Sequence, residues 1–305
     1  MTVYKSIQHI IGDTPLLELT NFSLPKDVHL YAKLEFLNPG GSIKDRLGVA
    51  LIQDALTKER IHPGGTIIEP TAGNTGIGLA IAAISHNLSV ILCVPEHFST
   101  EKQTLMRALG ATIVSTPREL GMKGAIQKAE QLLGEIPNSY SPQQFTNEAN
   151  PTTYYQTMAP EIWSDLEGKV DIFVAGAGSA GTFMGTTRYM KERNKQLKAV
   201  IVEPEGSIIG GGESGSHRTE GIGMEFFPEY MDHSLIDLVY TVPDDNAFDL
   251  VKTLAEKEGL LVGSSSGSAM YAALKEAELA SPGTTIVTVF PDGSDRYLSK
   301  DIYPR

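Results

Sequence analysis

Apolar positions follow two periods along the chain. Val28–Phe36, Thr66–Glu69, Ser89–Val94 and Thr112–Ser115 read as strands. Between them, Asp45–Lys58, Thr75–Ser85 and Lys123–Leu133 carry the apolar spacing of helices. Thr100-Glu101-Lys102-Gln103 has the form of a capping box, which predicts a further helix from Thr100 to Gly110. The pattern restarts after about residue 150. Asp171–Ala175, Ala199–Glu203 and Thr285–Phe290 read as strands, and Thr182–Glu192, Asp244–Glu258 and Gly267–Leu279 as helices. Residues 204–223 are rich in Gly, Ser and Glu without a period, as in a surface loop or a functional lid. Such alternation predicts βαβ units and parallel sheets, hence an α/β fold of two doubly wound halves. A length of 305 residues agrees with two domains.

Composition narrows the partners more than the fold. Hydrophobic residues at 41% and charged residues at 20% are globular values. A net charge of −12 is poorly suited to capturing nucleic acid or an anionic membrane. Cys93, the one cysteine, lies in an apolar run and reads as a buried structural thiol. No Cys/His cluster has zinc spacing, so no metal is expected. The first residues lack the apolar core of a signal peptide, and no apolar stretch approaches the ~20 residues of a membrane helix. A cytoplasmic protein is expected.

Four glycine- or hydroxyl-rich segments each open a helix. Asn38-Pro39-Gly40-Gly41-Ser42-Ile43-Lys44-Asp45-Arg46 delivers a lysine to a helix start. The helix dipole and burial both favour a neutral amine there, which suits a Schiff base; a plain surface lysine beside a turn is the alternative. Glu69-Pro70-Thr71-Ala72-Gly73-Asn74-Thr75-Gly76 offers backbone N–H groups and two threonine hydroxyls to a carboxylate or phosphate, or is simply a tight turn. Gly176-Ala177-Gly178-Ser179-Ala180-Gly181-Thr182 matches G-x-G-x-x-G directly after a strand. With Glu203 at the end of the next strand it also fits a nicotinamide dehydrogenase, although Ser179 and Thr182 suit a terminal phosphate. Gly263-Ser264-Ser265-Ser266-Gly267 places hydroxyls at a fourth helix start, as a cap or against a ring nitrogen.

In order and over nearly the whole chain, these segments resemble the cysteine synthase/cystathionine β-synthase family of fold-type II pyridoxal-phosphate enzymes. The resemblance extends through Gly121-Met122-Lys123-Gly124, Gln143-Gln144-Phe145, Asn150-Pro151, Glu220-Gly221-Ile222-Gly223 and Arg296-Tyr297-Leu298-Ser299. It implies a tryptophan synthase β-subunit-like fold. A smaller mobile domain, residues 45–148, would carry the substrate loop; residues 1–44 with 149–305 would form a larger domain with the phosphate site. It implies pyridoxal 5′-phosphate held by Lys44 as a Schiff base, with Lys44 then acting as acid and base. Asn74 would bond the ring hydroxyl oxygen. Gly176, Ala177, Gly178, Ser179, Ala180, Gly181 and Thr182 would cradle the phosphate, and Ser265 would face the pyridine nitrogen. Thr71, Ala72, Gly73, Thr75 and Gln144 would grip the substrate carboxylate, with Glu220 and Gly221 also at the substrate site. The implied reaction is β-replacement through an aminoacrylate, in a homodimer.

Departures from the common cysteine synthase pattern point to a branch. Ala72 stands where a serine is usual, Glu220 where glutamine is frequent, and Pro291-Asp292 where proline–serine is usual. Tyr154 replaces a frequent histidine. Glu220 and Asp292 resemble cystathionine β-synthases, and an acid at Glu220 would bind the ammonium of homocysteine; an exposed acid on a mobile loop is the alternative. The resemblance is closest to the O-acetylserine-dependent bacterial enzymes, which join O-acetylserine (or serine) to homocysteine. Cysteine synthase, or O-acetylserine sulfhydrylase, acting with sulfide is the alternative within the family; a non-catalytic binding module is another outside it. The length implies neither a haem segment nor a regulatory domain.

Overall fold

The structure, a computed structural model, describes residues 3–71, 73–96 and 99–303. The first half of the chain contributes β1 (Leu16–Glu18), β2 (His29–Leu34), α1 (Lys44–Thr57), β3 (Thr66–Pro70), α2 (Asn74–Ile84) and β4 (Ser89–Pro95). It continues with α3 (Thr100–Ala108), β5 (Thr112–Thr116), α4 (Gly121–Glu135) and β6 (Ser139–Tyr140). The second half contributes α5 (Ala149–Gln156), α6 (Met158–Asp165), β7 (Ile172–Gly176), α7 (Gly181–Arg193) and β8 (Lys198–Pro204). It ends with β9 (Leu238–Val242), α8 (Asp244–Glu258), α9 (Ser264–Leu279) and β10 (Thr285–Phe290).

The chain forms two compact units. The first consists of the described residues of Met1–Ile11 and Asn38–Ala149, around the sheet order β5-β4-β3-β6. All its strand pairs are parallel. Its core joins Leu47, Leu51 and Ile52 of α1 to Ile77 and Leu79 of α2 and to Ile67, Val90 and Leu92 of the sheet. The second unit consists of Gly12–Leu37 and the described residues of Asn150–Arg305. Its sheet order is β1-β2-β10-β7-β8-β9, parallel except where the short edge strand β1 runs against β2. Strands β8 and β10 are buried almost end to end, as expected for parallel strands covered on both faces. The buried ammonium of Lys33 on β2 meets the Thr14 carbonyl and lies 2.8 Å from the Glu161 carboxylate, so its charge is paired.

Several details differ from the sequence expectations. Helix α3 is capped by Ser99, whose hydroxyl accepts from the Lys102 amide at 3.2 Å; Thr100 is its first residue, not its cap. The strand expected through Phe36 stops at Leu34 and turns through a 3-10 segment, Glu35–Leu37. The pattern did not announce α5 and α6. Pro151 and Pro160 lie in their first turns, where a missing N–H costs no intrahelical bond but the proline masks the helical signal.

Candidate active site

In the first unit, two helix starts are brought together by glycine. The Asn38-Pro39-Gly40-Gly41 turn closes through a bond from the Gly41 amide to the Asn38 carbonyl at 2.7 Å. The buried Asp45 carboxylate accepts the Gly40 amide and so ties the turn to the first turn of α1. Lys44 opens α1 and is half-buried. A methyl group on Gly78 of α2 would collide with the Lys44 carbonyl, and one on Gly48 of α1 would collide with Gly78. Only hydrogen at these positions lets α1 and α2 touch backbone to backbone. That contact fixes the register between Lys44 at one helix start and Asn74 at the other.

Helix α2 begins after Gly73, without a side-chain cap. Thr71 and Thr75 are buried, and the Thr75 hydroxyl donates to Oε1 of buried Gln144 at 2.8 Å. Thr71, Gly73, Asn74, Thr75 and Gln144 therefore belong to one unit, with Thr75 and Gln144 in direct contact. Ala72 lies outside the described residues.

The second unit carries the loop Gly176 to Thr182 between β7 and α7. Ala180 adopts a left-handed backbone, φ 58°, at the N-cap of α7. No side chain caps this helix, and its first turn holds no acid. A Cβ on Gly178 would strike the Gly221 carbonyl, and one on Gly181 would strike the Asn150 side chain. The loop is braced by Asn150, which donates to the Ser179 hydroxyl at 3.0 Å, and by Tyr230, whose hydroxyl donates to the Ser179 carbonyl at 2.7 Å. An uncapped helix N-terminus lined by glycine and hydroxyls fits a phosphate monoester. Ser265 is the second residue of α9, which also lacks a side-chain cap, and is buried. A Cβ on Gly221 would lie 3.9 Å from its Oγ, so Gly221 and Ser265 are neighbours.

The irregular segment after β8 is pinned at three places. Glu203, 0% exposed, accepts the Ile209 and Gly210 amides at 2.8 and 2.9 Å and the Thr241 hydroxyl at 2.8 Å. Ser207 accepts the Met224 amide. Asp244 accepts the Arg218 amide and both the amide and hydroxyl of Thr219. Burial pushes the Asp244 pKa up, but those hydrogen bonds and the Arg218 charge outweigh it and hold the carboxyl below its ordinary range. Glu220 is half-buried; its amide donates to Ser264 Oγ at 3.0 Å, and its carboxylate lies 3.8 Å from Lys300 Nζ. Asp292 is buried against the Tyr297 hydroxyl, whose pKa is driven well up by burial and then by the Asp292 charge. Tyr154 is fully buried in the same unit. Local patterns did not single out Asp244 or Tyr230, because each reaches its partners across a long chain separation.

The first unit thus presents a lysine and an asparagine at two apposed helix starts, and the second presents an uncapped glycine-rich loop and a serine at two others. The chain belongs to the family of pyridoxal-phosphate dependent enzymes, whose family model matches residues 7–292. Its cofactor is therefore pyridoxal phosphate. It is 64% identical over 303 residues to the O-acetylserine dependent cystathionine beta-synthase of Bacillus subtilis (strain 168), covering 99% of each chain. It is 52% identical to a cysteine synthase of Helicobacter pylori (strain ATCC 700392 / 26695), covering 99% of this chain and 100% of that one. The solved O-acetylserine dependent cystathionine beta-synthase of Helicobacter pylori superposes with a TM-score of 0.94 at 52% identity over 100% of both chains. The dehydrogenase alternative falls: the family is another one, and the Glu203 carboxylate is taken up in holding a loop.

Proposed function

We propose that the protein replaces the β-substituent of O-acetyl-L-serine, or of L-serine, with the thiol of L-homocysteine, releasing L-cystathionine. The observation that carries this reading is the 64% identity over 99% of the chain to an enzyme of that name. The bound cofactor supplies an electron sink for loss of the α-proton and the β-substituent. Lys44 Nζ anchors the cofactor and then takes and returns the α-proton. Asn74 bonds the ring oxygen. Backbone N–H groups of Gly178, Ala180 and Gly181, with the Ser179 and Thr182 hydroxyls, hold the phosphate at the start of α7, while Gly176 and Ala177 form the entry to the loop, where the Ala177 amide donates to the Val202 carbonyl at 3.0 Å. Ser265 offers a hydroxyl, not a carboxylate, to the pyridine nitrogen, which leaves that nitrogen without a strong proton-holding partner. Thr71, Ala72, Gly73, Thr75 and Gln144 bind the substrate carboxylate.

Acceptor choice rests on the segment of Glu220 and Gly221. The ammonium of homocysteine competes with Lys300 for the Glu220 carboxylate, whereas sulfide has no such group. Residues 45–148, as the smaller mobile domain, carry the substrate loop that excludes water from the loaded site. The protein works in the cytoplasm as a homodimer, for which exposed Tyr4, Ile7, Ile10 and Ile84 offer an apolar surface.

The test is one reaction with O-acetylserine and equal concentrations of homocysteine and sulfide, analysed by mass spectrometry beside a no-enzyme control. Mostly cystathionine is expected. Mostly cysteine would support the second reading, a sulfide-using cysteine synthase, which the 52% identical Helicobacter pylori relative of that name favours.

A further inference from the structure

The glutamate that opens the substrate-loop motif has no part in the reaction so far described. Glu69 lies on β3, two residues before Thr71, and its side chain is 2% exposed. Its partners are all neutral donors on one distant segment. Oε2 accepts the Ser141 hydroxyl at 2.9 Å and the Gln143 amide at 3.2 Å, and Oε1 accepts the Gln144 amide at 3.3 Å. Strand β6 pairs with β3 for two residues only, Thr66 with Ser139 and Ile67 with Tyr140. Beyond Tyr140 the ladder ends, and the Glu69 carboxylate receives the amides that a longer strand would have paired. Gln143 takes a left-handed backbone, φ 54°, at this point. The turn brings Gln144 back to Thr75, whose hydroxyl donates to its Oε1 at 2.8 Å. With Oε1 engaged in this way, Nε2 is the end of the amide that can donate to a carboxylate.

We propose that Glu69 is a positioning residue for recognition of the amino-acid carboxylate: it holds the 141–144 turn so that Gln144 meets Thr75 with its amide correctly turned. The proposal rests on the assignment of Thr75 and Gln144 to the substrate carboxylate. Burial pushes the Glu69 pKa up, while the Ser141, Gln143 and Gln144 bonds pull it down. A buried carboxylate without a cationic partner is costly, and holding the turn accounts for that cost.

The experiment uses the holoenzyme, its visible cofactor absorbance, and steady-state kinetics with O-acetylserine and homocysteine. Glu69→Gln keeps the shape but turns a donor toward one of the donors it now satisfies. The expected result is a rise of about tenfold in KM for O-acetylserine, the scale of one lost hydrogen bond, with kcat, homocysteine KM and cofactor absorbance near wild type. Ser141→Ala, a milder surface of the same contact, should move the same KM in the same direction by less. Combined with Gln144→Ala, Glu69→Gln should add little, because it acts through that residue. The proposal is overturned if Glu69→Gln and Ser141→Ala keep the wild-type KM, if kcat and both KM values worsen together, or if the double variant shows the full product of the two effects. A wild-type holoenzyme with no O-acetylserine turnover would remove the functional reading itself, and this proposal with it.

Discussion

Gly78→Ala sets helix propensity against fit. Alanine in a helix interior gains ~1 kcal/mol over glycine. Here the new Cβ would lie 2.8 Å from the Lys44 carbonyl carbon and closer still to its oxygen. Carbon atoms in ordinary contact sit at ~3.5–4.0 Å, so α1 and α2 must part by roughly 1 Å at Lys44, the residue proposed to anchor the cofactor. Overpacking of this kind costs ~1–3 kcal/mol, which the propensity gain partly offsets, so the variant folds with a modestly lower Tm. A displacement of about 1 Å at a reacting group can cost on the order of 100-fold in rate. Gly78→Ala is therefore expected to retain cofactor absorbance while kcat for cystathionine formation falls by that order. Gly48→Ala, which meets Gly78 from the other helix, should act in the same direction. A Gly78→Ala enzyme with kcat within twofold of wild type would refute the argument that this contact sets the position of Lys44.

Further predictions follow from single contacts. Because the Asp244 pKa is lowered in the fold, its stabilising contribution is present above the ordinary carboxylate pKa of ~4 and is lost as pH falls through the lowered value. Asp244→Asn should cost about 1.5 kcal/mol at neutral pH, roughly 3 °C in Tm, with the gap to wild type closing in acid; a pH-independent gap would contradict the assignment. Burial pushes the Cys93 thiol up to about 11, so in the native protein it should resist a thiol reagent at pH 8 and react fully only after denaturation; rapid native labelling would contradict this. Glu220→Gln should lower kcat/KM for homocysteine by about fivefold, the scale of a partly exposed ion pair, and leave sulfide use nearly unchanged. Equal losses for the two acceptors would remove the role given to this residue.

The order of strands and helices was readable because long apolar runs and helical spacing agree with the tertiary burial of β3, β4, β7, β8 and β10. Short elements were not readable. Strand β6 has two residues and β1 three, too few for a period to show. Strand β9, Leu238–Val242, follows a long irregular stretch and is flanked by a helical pattern on its C-terminal side alone. As candidates, Lys44, Asn74, the 176–182 loop and Ser265 stood out because glycine and hydroxyl residues cluster at helix starts, where backbone donors are exposed. Glu69, Glu203 and Asp244 were harder. Each is an acid whose meaning lies in amides supplied from elsewhere in the chain, and for Glu69 those amides are more than 70 residues away. Glu203 shows the hazard: its place after a G-x-G-x-x-G loop fits a ribose contact, yet it caps the backbone of residues 209 and 210.

The central claim is that Lys44 holds the cofactor. The most direct test is borohydride reduction of the purified holoenzyme, followed by proteolysis and peptide mass spectrometry. The account predicts loss of the visible absorbance and a phosphopyridoxyl mass increment on the peptide containing Lys44, confined to that lysine. An increment on a different lysine, or an intact Lys44 peptide after the absorbance has been lost, would contradict it.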